Sequence, residues 1–168
     1  EEKRHMPGMN PSCSRVNHPN GFTLVELMVS LALIGILAGI AFPNILAYLP
    51  TFRLHSAARQ VMTDLNYARG RSASLNLEYR VKFDTNTETY EVEKGNKSTG
   101  SSIWTLEKTV PRLAEANINV VSVSQNPVYA KPTGTMTNTT VTLENSKGQS
   151  LEITTSGVGR IKKGTITN

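Results

Sequence analysis

The sequence predicts an α+β protein in which a long N-terminal helix, membrane-spanning in its first half, packs on an antiparallel β-sheet or small β-sandwich. Three observations predict this fold class. Residues 22–42 are almost entirely apolar, residues 54–75 repeat apolar side chains at steps of three and four, and later residues alternate apolar with polar side chains in short runs. A chain of 168 residues has room for an anchor and one head of roughly a hundred residues.

The apolar segment, residues 22–42, predicts a membrane helix. At about 1.5 Å per residue it would be roughly 30 Å long, which is the thickness of a bilayer core. Ser30 is the only polar side chain between residues 27 and 42, and Glu26 lies just before that run. A carboxylate at this depth is costly, so Glu26 predicts a partner of opposite charge. Pro43 removes a helical hydrogen bond and should kink or locally melt the helix.

Three other interpretations of this segment compete. In the first, it is a plain anchor and Glu26 is incidental. In the second, it is a secretory signal peptide cleaved after Gly39-Ile-Ala41, so that Phe42 becomes the N-terminus. A carboxylate inside the apolar core argues against that reading. In the third, it is a buried core helix, which is disfavoured because the segment is apolar on all faces.

Residues 1–20 are predicted to be disordered. They are rich in proline and polar residues and have no apolar periodicity. Their basic residues favour a cytoplasmic location for this end. The only cysteine, Cys13, lies here, so we expect no disulfide in the rest of the chain. The net charge of +5 permits a polyanionic partner without requiring one.

Behind the hydrophobic helix, which is predicted over residues 22–49, we predict an amphipathic continuation over residues 50–77. Its apolar stripe is predicted to pack on the sheet, and it consists of Leu54, Ala58, Val61, Leu65, Ala68 and Leu75, with Ser72 filling one gap.

Residues 78–168 are predicted to form a β-rich head. Residues 78–83 and 89–93 alternate with period two around a polar turn, which predicts a hairpin. Residues 111–117 are predicted to be a connection and residues 135–139 a polar loop. Further strands are predicted at 103–106, 118–123, 128–130, 140–143, 151–154 and 158–161.

The run Gly21-Phe22-Thr-Leu-Val-Glu26-Leu, followed by an apolar helix and Pro43, resembles the N-terminal signature of type IV pilins and pseudopilins. The resemblance implies that residues 1–21 are a leader, which a prepilin peptidase removes by cleaving after Gly21, and that the same enzyme methylates the new N-terminal residue, Phe22. It also implies that Glu26 pairs with the terminal amine of a neighbouring subunit during assembly. Phe22, Glu26 and Pro43 are therefore the expected assembly residues.

The remainder of the chain is similar to one subfamily, the GspH/FimT type. The similar segments are residues 57–69 with Ser72-Ala73, Pro132-Thr-Gly134, and Gly157-Val-Gly159-Arg160-Ile161. The resemblance implies a long helix packed on two β-sheets. It further implies a minor subunit near the tip of a type II secretion pseudopilus or type IV pilus. Its expected place is the bacterial inner membrane, crossed once, with the head in the periplasm. Expected partners are other pilin-type subunits, through a helix bundle, and the peptidase.

A basic tail, Arg160, Lys162 and Lys163, suggests a second partner, DNA. A flexible, glycine-flanked hook of this kind could contact phosphates without sequence specificity. Some FimT-like proteins of DNA-uptake pili resemble it, with a Gly-Arg-x-Arg element. Here Lys162 stands at the last position, which weakens bidentate phosphate binding. The competing interpretation is a solvated charge cluster at the end of a strand.

The sequence contains no enzymatic motif. The three histidines are scattered, and no His or carboxylate pair has metal-ligand spacing. There is no nucleophile elbow and no phosphate-binding glycine loop. We therefore expect no catalysis, cofactor or metal. Three functions remain in order: a minor pseudopilin, a DNA-binding minor pilin, and a secreted β-rich domain with an ordinary signal peptide.

Overall fold

The structure, a computed structural model, describes residues 21–110 and 112–167, without the side chains at positions 43, 44 and 112. The chain divides into two units, Glu1–Phe42 and Pro43–Asn168, and each is described by itself. The predictions for the leader before residue 21 lie outside the described residues.

A single helix, α1 (Leu24–Leu75), contributes to both units and is 52 residues long. Its first 19 residues, Leu24–Phe42, are exposed and are long and apolar enough to cross a membrane. This confirms the predicted N-terminal apolar helix. The helix is unbroken at positions 43 and 50, so of the two outcomes predicted at Pro43, a kink or local melting, local melting is wrong.

In the second unit, the predicted apolar stripe of α1 is buried from Leu54 to Ser72. Leu75 is 41% exposed, so its predicted burial is wrong. The reason is the end of the helix: Asn76 has a φ of 54°, and the Leu77 N–H donates to the Ser72 carbonyl at 3.3 Å. This is the Schellman arrangement, in which a left-handed residue stops the helix.

Eight strands in the described part of the chain form two four-stranded antiparallel sheets. The strands are β1 (Tyr79–Asp84), β2 (Thr89–Gly95), β3 (Trp104–Val110), β4 (Ile118–Val123), β5 (Val128–Ala130), β6 (Thr139–Asn145), β7 (Ser150–Thr155) and β8 (Ile161–Thr167). Sheet A has the order β3-β2-β1-β5 and sheet B the order β4-β6-β7-β8. The predicted hairpin is β1–β2, and the predicted connection contains a short helix, α2 (Arg112–Glu115).

The last strand differs from its prediction. The strand expected over residues 158–161 is absent, because the Gly159 N–H donates to the Ser156 carbonyl at 2.7 Å and closes a turn. The chain then pairs with β7 as β8, so Lys162 and Lys163 lie in a strand. The predicted flexible hook is therefore wrong. Solvent-exposed edge strands carry charged side chains. β8 therefore lacks the alternation of apolar and polar residues by which the other strands were predicted.

Side chains that bond to backbone groups connect the two sheets. The Asn126 side chain accepts from the Phe83 N–H at 3.0 Å and donates to the Phe83 carbonyl at 2.7 Å. The Glu88 carboxylate accepts from the Val120 N–H. These bonds fix the end of β1 to the β4–β5 connection and the β1–β2 turn to β4 of sheet B.

A buried carboxylate fixes α1 on sheet A. Asp64 is 2% exposed, and it accepts from the Tyr90 hydroxyl at 2.6 Å, Lys108 Nζ at 2.7 Å and Gln60 Nε2 at 3.0 Å. A buried charge is tolerated only when it is paired and hydrogen-bonded in this way. The cluster thus joins the helix to both β2 and β3.

A bulge in β3 makes a second contact with the helix. The β2–β3 register shifts so that Glu107 has no partner on β2. Its carboxylate accepts from the Tyr67 hydroxyl at 3.0 Å and from Arg71 at 3.3 Å. Because a bulge re-aims side chains, Glu107 and its neighbour Lys108 both reach α1.

Two buried tyrosines should make the folded head less stable at alkaline pH. Burial raises the pKa of Tyr79 to about 12, and burial, followed by the bond to Asp64, raises the pKa of Tyr90. The ordinary tyrosine pKa is about 10. Because the folded values are raised, this stabilisation is complete below pH about 10 and is lost as the pH rises through the folded values. The thermal midpoint should therefore fall steeply above pH about 10, and Tyr90→Phe should flatten this dependence.

The fluorescence of Trp104, the chain's one tryptophan, can follow this unfolding because Trp104 lies in sheet A. Lysine titration is common to wild type and variant, so the difference between their profiles isolates Tyr90. Tyr48→Phe, at an exposed position, is the control. Parallel profiles for wild type and Tyr90→Phe would contradict the prediction.

Candidate assembly and binding sites

The start of α1 is held by Thr23 and Glu26. Thr23 precedes the first helical residue, and its hydroxyl accepts from the Glu26 N–H at 3.2 Å. In return, Glu26 Oε2 accepts from the Thr23 N–H at 3.1 Å and from the Thr23 hydroxyl at 3.0 Å. This is a capping box, which satisfies backbone donors that the first turn of a helix leaves unpaired.

The capping box uses only one oxygen of the Glu26 carboxylate. Both of its bonds use Oε2, and Oε1 has no hydrogen bond to any residue that the structure describes. Cleavage after Gly21 would create an amine on Phe22, which is 84% exposed. One carboxylate oxygen can therefore cap its own helix while the other accepts from the amine of a second subunit. Glu26 was predicted from the sequence and Thr23 was not, although the Thr-x-x-Glu spacing is typical of a capping box.

Removing the cap should weaken assembly moderately. Loss of an N-cap side chain costs about 1 kcal/mol, so Thr23→Ala should lower the crosslinked, fibre-incorporated fraction about fivefold. Thr23→Ser keeps the hydroxyl and should assemble as wild type does. Quantitative crosslinking in cells measures both variants, and equal incorporation of Thr23→Ala and wild type would refute the role of the cap.

Three segments that are distant in sequence meet at Arg69. Arg69 Nε donates to the Gly134 carbonyl at 2.9 Å. Gly159 has a φ of +76°, and a Cβ at this position would lie 2.2 Å from the Gly134 oxygen and 2.6 Å from Arg69 Nε. The helical segment, the Pro-Thr-Gly turn and the Gly-Val-Gly-Arg turn singled out in the sequence therefore form one junction, called here the Arg69 junction.

Two of the three predicted tail cations share a groove. Arg160 and Lys162 line a groove of about 350 Å³, together with Thr154, Thr155, Ser156 and Val158. Lys163 does not line it, and its Nζ lies 3.4 Å from His55 Nδ1 on α1. Burial, together with Lys163 and Arg59, lowers the pKa of His55. The structure thus separates Lys163 from the cationic pair Arg160–Lys162.

The edge position of β8 offers a structural explanation for its lysines. In the described part of the chain, β8 pairs with β7 on one side and with no strand on the other. Lysines on an open edge discourage pairing with another chain. Arg160 lies in the turn before β8, so this explanation applies to the lysines and not to Arg160. Among the described residues, no group of three His, Cys, Asp or Glu side chains could hold a metal ion.

An exposed apolar helix with a capped carboxylate in its first turn, joined to a head of two sheets, defines the class of pilin-type subunits. Residues 17–42 match the model of the prokaryotic N-terminal methylation motif. Residues 57–159 match the model of the type II transport protein GspH. This second match covers more than half of the chain, which belongs to the GspH family. The family identifies a structural subunit, a minor pseudopilin or pilin.

Two solved structures have the same fold. The minor pseudopilin EpsH of the Vibrio cholerae type 2 secretion system superposes with a TM-score of 0.55 at 10% identity, over 67% of this chain and 97% of EpsH. The type IV minor pilin FimU of Pseudomonas aeruginosa PAO1 superposes with a TM-score of 0.54 at 16% identity, over 67% of this chain and 88% of FimU. These likenesses confirm the α+β fold. No curated protein matches the chain in sequence.

Proposed function

We propose that the chain is a minor pseudopilin of a type II secretion system. After cleavage behind Gly21 and methylation of Phe22 it remains in the inner membrane, which it crosses once, with its head in the periplasm. Fibre assembly then places the Phe22 amine of one subunit beside the Glu26 carboxylate of another. The match of residues 57–159 to the GspH model supports the secretion role.

The observation that carries this proposal is the free carboxylate oxygen of Glu26 in the apolar segment. Once helices bundle, water is excluded and the effective dielectric constant falls, so opposite charges attract strongly and an unpaired charge is penalised. Subunits should therefore settle at the axial offset that joins amine and carboxylate. Pairing fixes the register between subunits as well as contributing energy.

Mass spectrometry of the native protein tests the first step. We expect the mature chain to begin with N-methylated Phe22. An N-terminus at Phe42 would instead identify the signal-peptide alternative, and retention of residues 1–21 would identify a plain anchor. Deletion of the gene should abolish export of secreted proteins. Intact secretion with loss of pili would instead favour a role in a type IV pilus, the kind of assembly to which FimU belongs.

A second candidate function is nucleic-acid binding by the head. The supporting observation is that Arg160 and Lys162 line one groove. Phosphate contacts by such cations make affinity fall with salt, with a slope of roughly −0.7 per contact on a single strand. Fluorescence anisotropy with a labelled oligonucleotide and the full chain in non-ionic detergent tests this. Arg160→Gln and Lys162→Gln should each weaken binding and reduce the salt slope. Salt-independent binding would contradict the proposal.

A further inference from the structure

Three of the four edge strands in the two described sheets are protected from pairing with another chain. Such protection is the rule, because an open edge presents unpaired N–H and C=O groups to any other strand. β8 carries lysines. β4 is covered at Val120, whose N–H donates to the Glu88 carboxylate. β5 is three residues long, and the chain that follows covers it, since the Thr137 N–H donates to the Tyr129 carbonyl at 2.9 Å.

β3 is the fourth edge, and its first half has none of these protections in the described part of the chain. β3 pairs there with β2 on one side and with no strand on the other. Residues 103–106, the start of β3 and the residue before it, read Ile-Trp-Thr-Leu and carry no charge. We call them the β3 edge segment. The charged residues that follow, Glu107 and Lys108, are bonded to α1. Ile103 is 65% exposed and Leu106 is 52% exposed, so the segment presents apolar side chains at an open edge.

The β3 edge segment is fixed by the side chains around it. The Ile103 N–H donates to Asn96 Oδ1 at 3.2 Å. The Arg80 guanidinium lies 4.2 Å from the centroid of the Trp104 ring, and the centroids of the Trp104 and Tyr129 rings are 5.9 Å apart. A partner strand therefore meets an edge that is already ordered, so binding loses little conformational entropy on this side.

We propose that the β3 edge segment pairs with an extended segment of a neighbouring pilin-type subunit, which adds a fifth strand to sheet A. This inference rests on the proposed function, because the partner belongs to the same fibre. In strand addition, main-chain hydrogen bonds supply affinity and alternate side chains supply specificity. Trp104 and Leu106 are two residues apart and share one face of the sheet. The partner segment therefore carries apolar residues at alternate positions and no charge beside these two side chains.

The position of α1 identifies the partner as a subunit of the fibre. Glu107, directly after the β3 edge segment, accepts from the hydroxyl of Tyr67 on α1, and Tyr67 is 39% exposed. The helix bundle of the proposed fibre brings a neighbouring subunit alongside α1. A subunit that packs against α1 at Tyr67 is then within reach of the β3 edge, so the helix contact and the strand contact form together.

Photocrosslinking in cells that produce the whole fibre tests the pairing. Benzoylphenylalanine replaces Thr105, which is exposed within the segment, and mass spectrometry identifies the crosslinked peptides. We expect crosslinks to an extended segment of another pilin-type subunit. Leu106→Lys places a charge at the edge and should reduce these crosslinks about tenfold. Leu106→Val keeps an apolar side chain that favours a strand and should crosslink as wild type does.

Thr109→Lys is the matched control. Thr109 is an exposed residue of β3 that follows the register shift and lies outside the segment, so crosslinks from position 105 should be retained. Leu106→Lys and Thr109→Lys both replace exposed side chains. Their thermal midpoints should therefore equal that of wild type, which separates lost pairing from misfolding.

Three results would overturn the inference. Undiminished crosslinking in Leu106→Lys would show that the open edge is not the contact. Crosslinks only to a second copy of this chain, or only to a protein without a pilin-type helix, would assign the segment to a different partner. Absence of crosslinks from position 105 in a processed and incorporated chain would remove this inference alone, whereas a wild-type chain that is never incorporated would remove the proposed function with it.

Discussion

Glu26→Gln should block incorporation of the subunit into the fibre while leaving cleavage behind Gly21 intact. Glutamine has the shape of glutamate and still offers an oxygen to Thr23, so the capping box survives. What it lacks is the negative charge. Removing one partner of a charge pair in a bundle that excludes water costs several kcal/mol, because the other charge is left unpaired. Incorporation should therefore fall more than about tenfold.

Three variants separate the two roles of this carboxylate. If pairing with the amine dominates, Glu26→Gln and Glu26→Ala should fail equally. If capping dominates, Glu26→Gln should assemble and Glu26→Ala should not. Ser30→Ala is the matched control, because it removes a neutral polar side chain one turn further along the apolar segment, whose hydroxyl donates to the Glu26 carbonyl at 2.7 Å.

The measurement is crosslinking of the subunit to its neighbours, alongside mass spectrometry of the N-terminus. Normal cleavage with lost crosslinks is the expected pattern for Glu26→Gln. Efficient crosslinking of a correctly processed Glu26→Gln variant would rule out charge pairing as the basis of assembly.

The periodicity of apolar residues predicted most of the fold, because a helix or strand that buries one face carries apolar residues at regular intervals. The three-four spacing from Leu54 predicted the buried face of α1, and the period of two from Tyr79 predicted the β1–β2 hairpin. The same reasoning failed where burial is absent. β8 lies at an edge with exposed side chains, and Leu75 continues the spacing at the last residue of the helix, where the side chain is exposed.

The polar sites were harder to predict because their partners are distant along the chain. Asp64 in a helix is consistent with a solvated position, and no local pattern connects it to Tyr90 and Lys108, 26 and 44 residues away. The separation of Lys163 from Arg160 likewise follows from strand pairing. Glu26 could be identified from the local sequence alone, because a carboxylate beside a long apolar run is unfavourable whatever its distant partners are.

Gly159→Ala should destabilise the head strongly, by about 3 kcal/mol. The left-handed backbone at Gly159, with a φ of +76°, costs a residue with a Cβ about 1–2 kcal/mol. The new Cβ would also lie 2.2 Å from the Gly134 oxygen, which is backbone and cannot rotate away, so overpacking adds a further cost of about 1–3 kcal/mol. For a domain of this size the thermal midpoint should fall by roughly 10 °C.

Gly148→Ala is the matched control for this prediction. Gly148 has a φ of +75°, and a Cβ there would meet nothing within 4 Å, so this variant carries the backbone strain without the collision. It should lose only about 1 kcal/mol. Thermal unfolding of the full chain in detergent, followed by Trp104 fluorescence, measures both variants. Equal losses would mean that the Arg69 junction yields to the added methyl group, whereas the larger loss at Gly159 would show that close contact with Arg69 and Gly134 requires glycine there.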